Sequence, residues 1–282
     1  MKPLSTLKKD MEFNKNLGSL LETLKSIAVS QYRALEKKLT TFKELMTTIN
    51  SFFDSFDISD FEHPFLAPAN DLQAVVAVTS DTGLLGGLNA RVVNTALGLL
   101  REKKGKLIII GERGKRYVQD SGVPSVAFSG IRDEDRYAQA VQMRDYLLSK
   151  ILEGSFGYLK VVYPKPISFT IQRVETVHFL PFDVSRGKSN VKAQAIKDII
   201  LESSPTEMAE YLIYTLLGQS LFEIFGMSRL SEFAARYVHL EESAQKLKDM
   251  DKKLRLQYFR TRHEFVDRNM RELFASRLLF SH

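Results

Sequence analysis

The chain has 282 residues, which is enough for two ordinary domains, although long helices consume residues without adding a second core. Hydrophobic residues make up 44% and charged residues 26%, the balance of a folded globular protein, so disorder is excluded as the main state. The formal net charge of +6 is compatible with an acidic protein, a membrane surface or nucleic acid as partner, and the absence of cysteine excludes disulfides, thiolate nucleophiles and cysteine-ligated zinc.

The first region, from about Leu4 to Asp57, has apolar residues at every third or fourth position, the period of a helix that packs along its length on another helix. The seam consists of Leu17, Leu21, Leu24, Ala28, Tyr32, Leu35, Leu39, Phe42, Met46, Ile49 and Phe53. A helix of roughly 50 residues would be about 75 Å long at about 1.5 Å per residue. The pattern therefore predicts a long N-terminal helix that requires a partner.

The start of the chain lacks the apolar core and small-residue cleavage site of a signal peptide, and no run of about 18 apolar residues occurs. Asp10 and Glu12 also argue against a transit peptide, which would be poor in acidic residues. We therefore expect a soluble, unprocessed protein of the cytoplasmic side and of a bacterial type.

After two prolines between residues 63 and 70, buried-strand patterns alternate with helical ones. Strands are predicted at Leu72–Asp81, Lys106–Glu112, Tyr158–Pro164 and, as a short one, Val126–Ser129, with helices at Asn89–Lys103 and Asp135–Leu152. Phe169–Phe182 alternates apolar and polar residues, which predicts an antiparallel strand beside Tyr158–Pro164. The continuous Val and Ile runs indicate a mostly parallel sheet that is covered on both faces, a Rossmann-like α/β domain.

The last region has Pro205 near the first turn of a predicted helix and no proline after it. Its apolar seam has an average spacing of about 3.5 residues, the period of a coiled coil. The seam consists of Leu230, Phe233, Tyr237, Leu240, Ala244, Leu247, Met250, Leu254, Tyr258, Thr261 and Phe265. A helix of about 70 residues would be about 105 Å long.

The predicted fold class is α/β, a long antiparallel coiled coil of N- and C-terminal helices plus a Rossmann-like α/β domain. The predicted domains are an N-terminal coiled-coil helix over residues 1–60, the α/β domain over residues 70–190 and a C-terminal coiled-coil helix over residues 204–280. The alternative is that each end of the chain packs separately on the domain.

Two segments resemble the signatures of the gamma subunits of F-type ATP synthases. Ser80–Asn89, SDTGLLGGLN, is similar to the family's SDRGLCGGLN, and Ser231–Arg236, SEFAAR, is similar to SExAAR. The resemblance covers essentially the whole chain. The segment Ser19–Ser30 departs from the family's KITKAMxMVA block, and His263 stands where glutamine is common, so the chain resembles a divergent member.

The resemblance implies a central-stalk rotor that couples ion-driven rotation to ATP synthesis or hydrolysis, and no enzyme activity of its own. It implies three alpha and three beta subunits around one copy, together with an epsilon subunit and the membrane c-ring, and it implies neither a nucleic-acid partner nor a homo-oligomer. The expected location is the cytoplasmic face of the bacterial inner membrane, as a peripheral membrane protein. The coupling ion, proton or sodium, is left open.

The resemblance also assigns candidate site residues. The implied contacts with the catalytic ring are Arg262, His263, Leu84, Leu85 and Asn89. The implied shaft-pairing residues are Leu24, Glu232 and Arg236, for which a simple ion pair between Glu232 and Arg236 is the alternative. The implied contacts with the epsilon subunit and the membrane ring are Leu201 and Glu202.

No cofactor, catalytic set or metal site is predicted. The glycines of GLLGGLN follow a predicted strand, as the glycines of a phosphate loop do. Their spacing, however, is neither G-x-G-x-x-G nor that of a Walker motif. Glu112 closes the next predicted strand, where a nucleotide-binding domain has a ribose-binding acid. Other readings are a free nucleotide-dependent enzyme, a gamma-like rotor of an unusual or second-copy F-type ATPase, and a non-enzymatic coiled-coil scaffold or nucleic-acid-binding protein. The last would use the basic C-terminal helix, which carries Arg255, Arg260, Arg262, Arg268 and Arg271.

Overall fold

The computed structural model describes residues 2–39, 64–65, 68, 70–119, 121–181 and 205–279. Its helices are α1 Leu4–Glu36, α2 Leu88–Glu102, α3 Glu112–Gln119, α4 Arg136–Leu152 and α5 Pro205–Leu279. Its strands are β1 Gln73–Val78, β2 Gly105–Ile110, β3 Ser125–Phe128, β4 Tyr158–Pro166 and β5 Gln172–Leu180. The chain divides into two compact units, Met1–Ala28 with Tyr237–His282, and Val29–Arg236.

The five strands form one sheet in the order β3-β2-β1-β4-β5, in which only β5 runs antiparallel to its neighbour. Val76 of β1 pairs with Ile108 of β2 on one side and with Val161 of β4 on the other. Every residue of β1 is buried, because this strand lies in the interior of a sheet that is covered on both faces. The predicted parallel sheet, the short strand β3 and the antiparallel strand β5 are confirmed.

Each face of the sheet has its own apolar core. On one face, Val76 and its neighbours pack against Leu147 of α4 and Leu221 of α5. On the other face, Val75 and its neighbours pack against Val92 of α2. Burying one such side chain fully stabilises the fold by roughly 1.5–3 kcal/mol, so these two layers hold the α/β domain together.

Two buried arginines of α4 lie over aromatic rings of α5. The Arg144 guanidinium lies 3.5 Å from the ring centroid of Tyr214, and the Arg136 guanidinium lies 4.4 Å from that of Phe222. A glycine lies beside each arginine. A Cβ at Gly218 would lie 3.0 Å from Nη1 of Arg144, and one at Gly226 would overlap Leu39 and lie 3.1 Å from Nη1 of Arg136. The face of α5 is thus shaped to accept two cationic side chains.

The helices α1 and α5 pair antiparallel within each unit. In the unit Val29–Arg236, Tyr32 and Leu35 of α1 pack with Phe233 and neighbouring residues of α5. In the other unit, Lys25 forms an ion pair with Glu241, and a Cβ at Gly18 would lie 3.7 Å from Leu247. Higher residue numbers of α5 thus lie beside lower residue numbers of α1, as the coiled-coil prediction requires.

The ends of the predicted elements differ from the structure in two places. Helix α1 ends at Glu36 instead of continuing to Asp57, because the chain tightens into i→i−3 hydrogen bonds, with the Lys38 amide donating to the Leu35 carbonyl at 2.9 Å. The rest of the predicted seam, residues 40–57, lies outside the described residues. Glu112 does not close a strand: β2 ends at Ile110, Gly111 turns the chain with a φ of 102°, and Glu112 begins α3.

The close approach of β1 and β2 gives a test of this packing. A Cβ at Gly105 would overlap the backbone carbonyl of Gln73, whereas a Cβ at Gly98, inside α2, would meet nothing within 4 Å. We expect Gly105→Ala to lower the free energy of unfolding by about 2–4 kcal/mol. We expect Gly98→Ala to raise it by about 0.5–1 kcal/mol, since alanine is the better helix former. Urea denaturation of both variants checks this, and equal effects would contradict the strand geometry.

Candidate partner-contact sites

The two sequence signatures meet in the folded chain, within the unit Val29–Arg236. Arg236 of α5 donates a hydrogen bond from Nη2 to Oγ1 of Thr82, in the turn after β1, at 2.6 Å. Leu85 and Leu88, at the end of the same turn and the start of α2, pack against Ala235. Segments separated by about 150 residues in the sequence therefore form one contact.

The turn after β1 is held by its own polar groups. The Asn89 side chain donates from Nδ2 to Oγ of Ser80 at 2.8 Å and accepts from the Ser80 amide at 3.2 Å. Asn89 is only 8% exposed and Leu85 only 5%, whereas Leu84 is 51% exposed. Because Asn89 and Leu85 are occupied inside the chain, the prediction of a ring contact at this turn now falls on Leu84 alone.

Leu84 also has an unusual backbone conformation. Its φ of 65° lies in the left-handed region, which residues other than glycine, asparagine and aspartate rarely adopt. The following Gly86 and Gly87 have φ values of 55° and 86°, and Gly87 precedes the first residue of α2. The turn thus holds an exposed leucine in a strained position, at a cost of roughly 1–3 kcal/mol.

Helix α5 crosses the carboxyl edge of the sheet. Ser231 donates from Oγ to the carbonyl oxygen of Pro164, near the end of β4, at 3.0 Å, and Arg236 binds the turn after β1. The strand order reverses between β1 and β4, and in open α/β sheets this reversal marks the crevice where ligands bind. In this chain, α5 itself occupies that position.

A buried ion network lies beside this crossing. Glu232, which is 2% exposed, forms an ion pair with Arg229 at 2.7 Å and a longer one with Arg236 at 3.9 Å. Arg229 also donates two hydrogen bonds to Asp133, in the loop before α4, at 3.1 and 3.3 Å. The main partner of Glu232 is therefore Arg229 and not Arg236, so the simple Glu232–Arg236 pair describes only part of the network.

Burial raises the pKa of Glu232 to about 7, against the opposing attraction of Arg229 and Arg236. Within the part of the chain that the structure describes, Oε1 of Glu232 has no hydrogen-bond partner. The cost of burying this carboxylate in its charged form is thus only partly offset by its two arginines.

The predicted residues of the unit Met1–Ala28 with Tyr237–His282 lie on its two helices. Leu24 is half-buried in α1, and next to it Lys25 binds both Glu22 and Glu241, which raises the pKa of the lysine. Arg262 and His263 are exposed, as is every side chain of α5 from residue 262 to residue 276. The pairing of Leu24 with Arg236 stays a prediction.

Leu201 and Glu202 lie outside the described residues, and their proposed contacts stay predictions. Among the residues that the structure describes, no group of three or more histidines and carboxylates could hold a metal ion. No helix in the described ranges is long and apolar enough to cross a membrane.

These features define a class of protein in which two terminal helices pair along their length and the second one closes the ligand crevice of an α/β domain. A family model described as ATP synthase matches residues 3–276. The chain belongs to this family.

Curated relatives and solved structures agree with the family. The chain is 24% identical to the ATP synthase gamma chain of Cytophaga hutchinsonii over 90% of each chain, and 26% identical to that of Alkaliphilus metalliredigens over 94% of this chain and 93% of the relative. The rotor of the Euglena gracilis mitochondrial ATP synthase shares the fold with a TM-score of 0.66 at 16% identity, covering 93% of this chain and 98% of that one. The central stalk of the Tetrahymena thermophila mitochondrial ATP synthase shares the fold with a TM-score of 0.61 at 16% identity. The match covers 79% of this chain and 99% of that one.

Two serines of α5 test the crossing of the sheet edge. Ser231 and Ser228 are both fully buried, but among the described residues only Ser231 has a side-chain hydrogen-bond partner, the carbonyl of Pro164. We expect Ser231→Ala to lower the free energy of unfolding by about 1–2 kcal/mol, because the buried carbonyl loses its donor. Ser228→Ala should be neutral or slightly stabilising, because its hydroxyl is unpaired. Chemical denaturation checks both, and a larger loss at Ser228 would contradict the contact.

Glu232 should give the chain a specific pH dependence. Its folded pKa is raised from 4.5 to about 7, so the stability that its neutral form contributes is present below pH 4.5 and is lost as the pH rises through 7. Glu232→Gln keeps the neutral form at every pH. We therefore expect the free energy of unfolding of the variant, relative to the wild type, to increase between pH 5 and pH 8 by on the order of 2 kcal/mol.

The measurement is urea denaturation of both proteins across this pH range. Glu242→Gln, at an exposed position of the same helix, controls for the loss of one carboxylate. A difference between Glu232→Gln and wild type that does not vary with pH would contradict the raised pKa.

Proposed function

We propose that this chain is the rotor subunit of an F-type ATP synthase and couples proton or sodium flow to ATP synthesis or hydrolysis in a ring of three alpha and three beta subunits. The observation that carries this proposal is the contact of the two gamma signatures, at which Arg236 of SEFAAR binds Thr82 of SDTGLLGGLN. The chain is a non-catalytic subunit of the complex. Catalysis belongs to the beta subunits.

The rotor mechanism requires a shaft that presents a different face to each of the three beta subunits. A shaft that contacted all of their conformations equally would shift no equilibrium between open and closed states. Two different helices, one of which has exposed side chains throughout residues 262–276, give the required asymmetry. Torque also requires stiffness, which the antiparallel pairing of α1 and α5 supplies within each unit.

Arg262, His263 and Leu84 are the residues that we propose to contact the ring. Arg262 and His263 lie in the segment of α5 where every side chain is exposed, so both are available to a surrounding subunit. Leu84 supports the same role in the other unit, since it is an exposed leucine held at a positive φ, which is a costly arrangement.

The remaining partners follow from the same proposal. Leu201 and Glu202 are proposed to contact the epsilon subunit and the membrane c-ring. The chain would then lie at the cytoplasmic face of the bacterial inner membrane as a peripheral subunit. Its similarity to ATP synthase gamma chains supports membrane association as part of the complex.

Co-expression with the alpha and beta subunits of the same organism tests the proposal. The complex is purified by a tag on beta, and the subunit ratio and ATPase rate are measured with and without this chain. We expect three alpha, three beta and one copy of this chain, with turnover that depends on its presence. Arg262→Glu should reduce that turnover several-fold, whereas Lys104→Glu, at an exposed position of the α/β domain, serves as a charge-reversal control.

If the chain does not join the ring, the rotor proposal is overturned, and the interpretation of the chain as a coiled-coil scaffold protein is favoured. Assembly at the expected ratio with unchanged turnover for Arg262→Glu would leave the rotor role intact and remove Arg262 from the set of contacts. Binding of DNA that weakens steeply with salt would instead support a nucleic-acid partner.

A further inference from the structure

One carboxylate oxygen joins three connections at the carboxyl edge of the sheet. Oδ1 of Asp81, in the turn after β1, accepts a hydrogen bond from the amide of Glu112 at 2.9 Å and another from the amide of Gly130 at 3.0 Å. Glu112 begins α3, which follows β2, and Gly130 lies in the loop between β3 and α4. Asp81 therefore connects the segments that follow three neighbouring strands.

The bond to Gly130 is the contribution of Asp81 that its neighbours do not share. The start of α3 is also held by the carbonyl of Ser80 and the hydroxyl of Thr79, which accept amides of that helix at 3.0 and 3.1 Å. Within the described residues, by contrast, the bond from Gly130 to Asp81 is the only hydrogen bond between the turn after β1 and the loop before α4.

Gly130 allows the carboxylate to approach this closely. A Cβ at this position would overlap the carboxylate of Asp81. The φ of Gly130 lies outside the left-handed region, so the backbone conformation does not itself require a glycine there. The missing side chain therefore serves the contact with Asp81.

The turn after β1 and the loop before α4 each bind α5 as well. Arg236 of α5 donates a hydrogen bond to Thr82 in the turn. Arg229, earlier in the same helix, donates two to Asp133 in the loop. Because Asp81 joins the turn to the loop, these polar contacts form a closed circuit that begins and ends on α5.

This circuit contains the turn that carries Leu84, the residue of this unit that is proposed to contact the ring. A contact residue can favour one conformation of its partner over another only if it meets the two differently. That difference requires the contact residue to be held in place by supporting hydrogen bonds and packing.

We propose that Asp81 is a positioning residue, which fixes the turn that carries Leu84 relative to α5 so that rotation of the helix is transmitted to Leu84. This inference rests on the proposed rotor function, because that function gives Leu84 a partner. It assigns to Asp81 a role in coupling that is separate from any contact with the ring.

Ion transport by the assembled complex in lipid vesicles tests the proposal. The ATPase rate is measured together with the ATP-driven membrane potential, reported by a potential-sensitive dye that responds to proton and sodium transport alike. We expect Asp81→Ala to lower the transport per ATP hydrolysed about threefold, because the turn loses its bond to the loop. Asp81→Asn keeps a side-chain oxygen that can accept both amides, so it should stay close to the wild type.

Two further variants complete the comparison. Gly130→Ala breaks the same contact from the other side, since its methyl group would overlap the carboxylate, and it should match Asp81→Ala. Asp71→Ala is the control: this exposed aspartate precedes β1, at the opposite edge of the sheet, and its loss should leave the ratio unchanged.

A double variant distinguishes positioning from a general structural role. If Asp81 acts through Leu84, the combination of Asp81→Ala with Leu84→Ala should transport no less per ATP than Leu84→Ala alone. Losses that multiply in the double variant would show that Asp81 acts independently of Leu84. That result, or normal coupling in Leu84→Ala, would overturn the proposal.

The outcomes also separate this inference from the rotor proposal. If the wild-type chain does not join the ring, both fail. If the wild type couples and both Asp81→Ala and Gly130→Ala transport normally, the positioning role is overturned and the rotor proposal stands. Failure of both variants to join the ring would show that Asp81 is needed for folding and would also overturn the positioning role, as would a loss in Asp81→Asn as large as that in Asp81→Ala.

Discussion

The crossing of α5 over the carboxyl edge of the sheet is the interaction on which the α/β unit depends. Ser231 binds the end of β4 through the Pro164 carbonyl, and Arg236 binds the turn after β1 through Thr82. Between them, Ala235 packs against Leu85 and Leu88. One helical segment thus joins two parallel strands at the point where the strand order reverses, which a nucleotide-binding relative of this fold would leave open to its ligand.

The same crossing bears on how the Rossmann-like sheet is used in this chain. The turn after β1 lacks the spacing of a phosphate loop, and its backbone is organised by Asn89 and Ser80 instead of by an anion. Its buried leucines, Leu85 and Leu88, pack against Ala235 of α5. The domain therefore uses the carboxyl edge of its sheet to attach a helix. The chain is a non-catalytic subunit of the complex.

Hydrophobic periodicity was sufficient to predict the sheet and the long helices, because a run such as Val75 to Val78 is buried on both faces wherever it lies in a parallel sheet. Periodicity could not predict α3, whose eight residues include only two apolar ones, Tyr117 and Val118. Nor could it predict the end of α1 at Glu36, since the apolar spacing continues past that residue. Hydrogen bonding in the turn, and not the apolar pattern, ends the helix there.

The candidate site was less predictable, because its key contacts join residues that are distant in sequence. Spacing alone suggested that Glu232 pairs with Arg236, four residues away, yet its closer partner is Arg229, which is held in turn by Asp133. Similarly, the family resemblance could not separate exposed Leu84 from buried Leu85, because the difference depends on the positive φ of Leu84. Conformation and burial decide such cases, and neither can be read from residue type.

The buried network at Glu232 also bears on why a rotor would keep an expensive feature. Replacing a buried ion network by apolar side chains of similar size is often neutral or stabilising, so stability alone does not account for a carboxylate with an unpaired oxygen. An apolar contact would hold α5 without fixing its rotation about its own axis, whereas paired charges from the loop at Asp133 and from α5 fix that rotation. A helix that transmits torque to its domain requires this fixed angle, and a directional ion network supplies it at the cost of some stability.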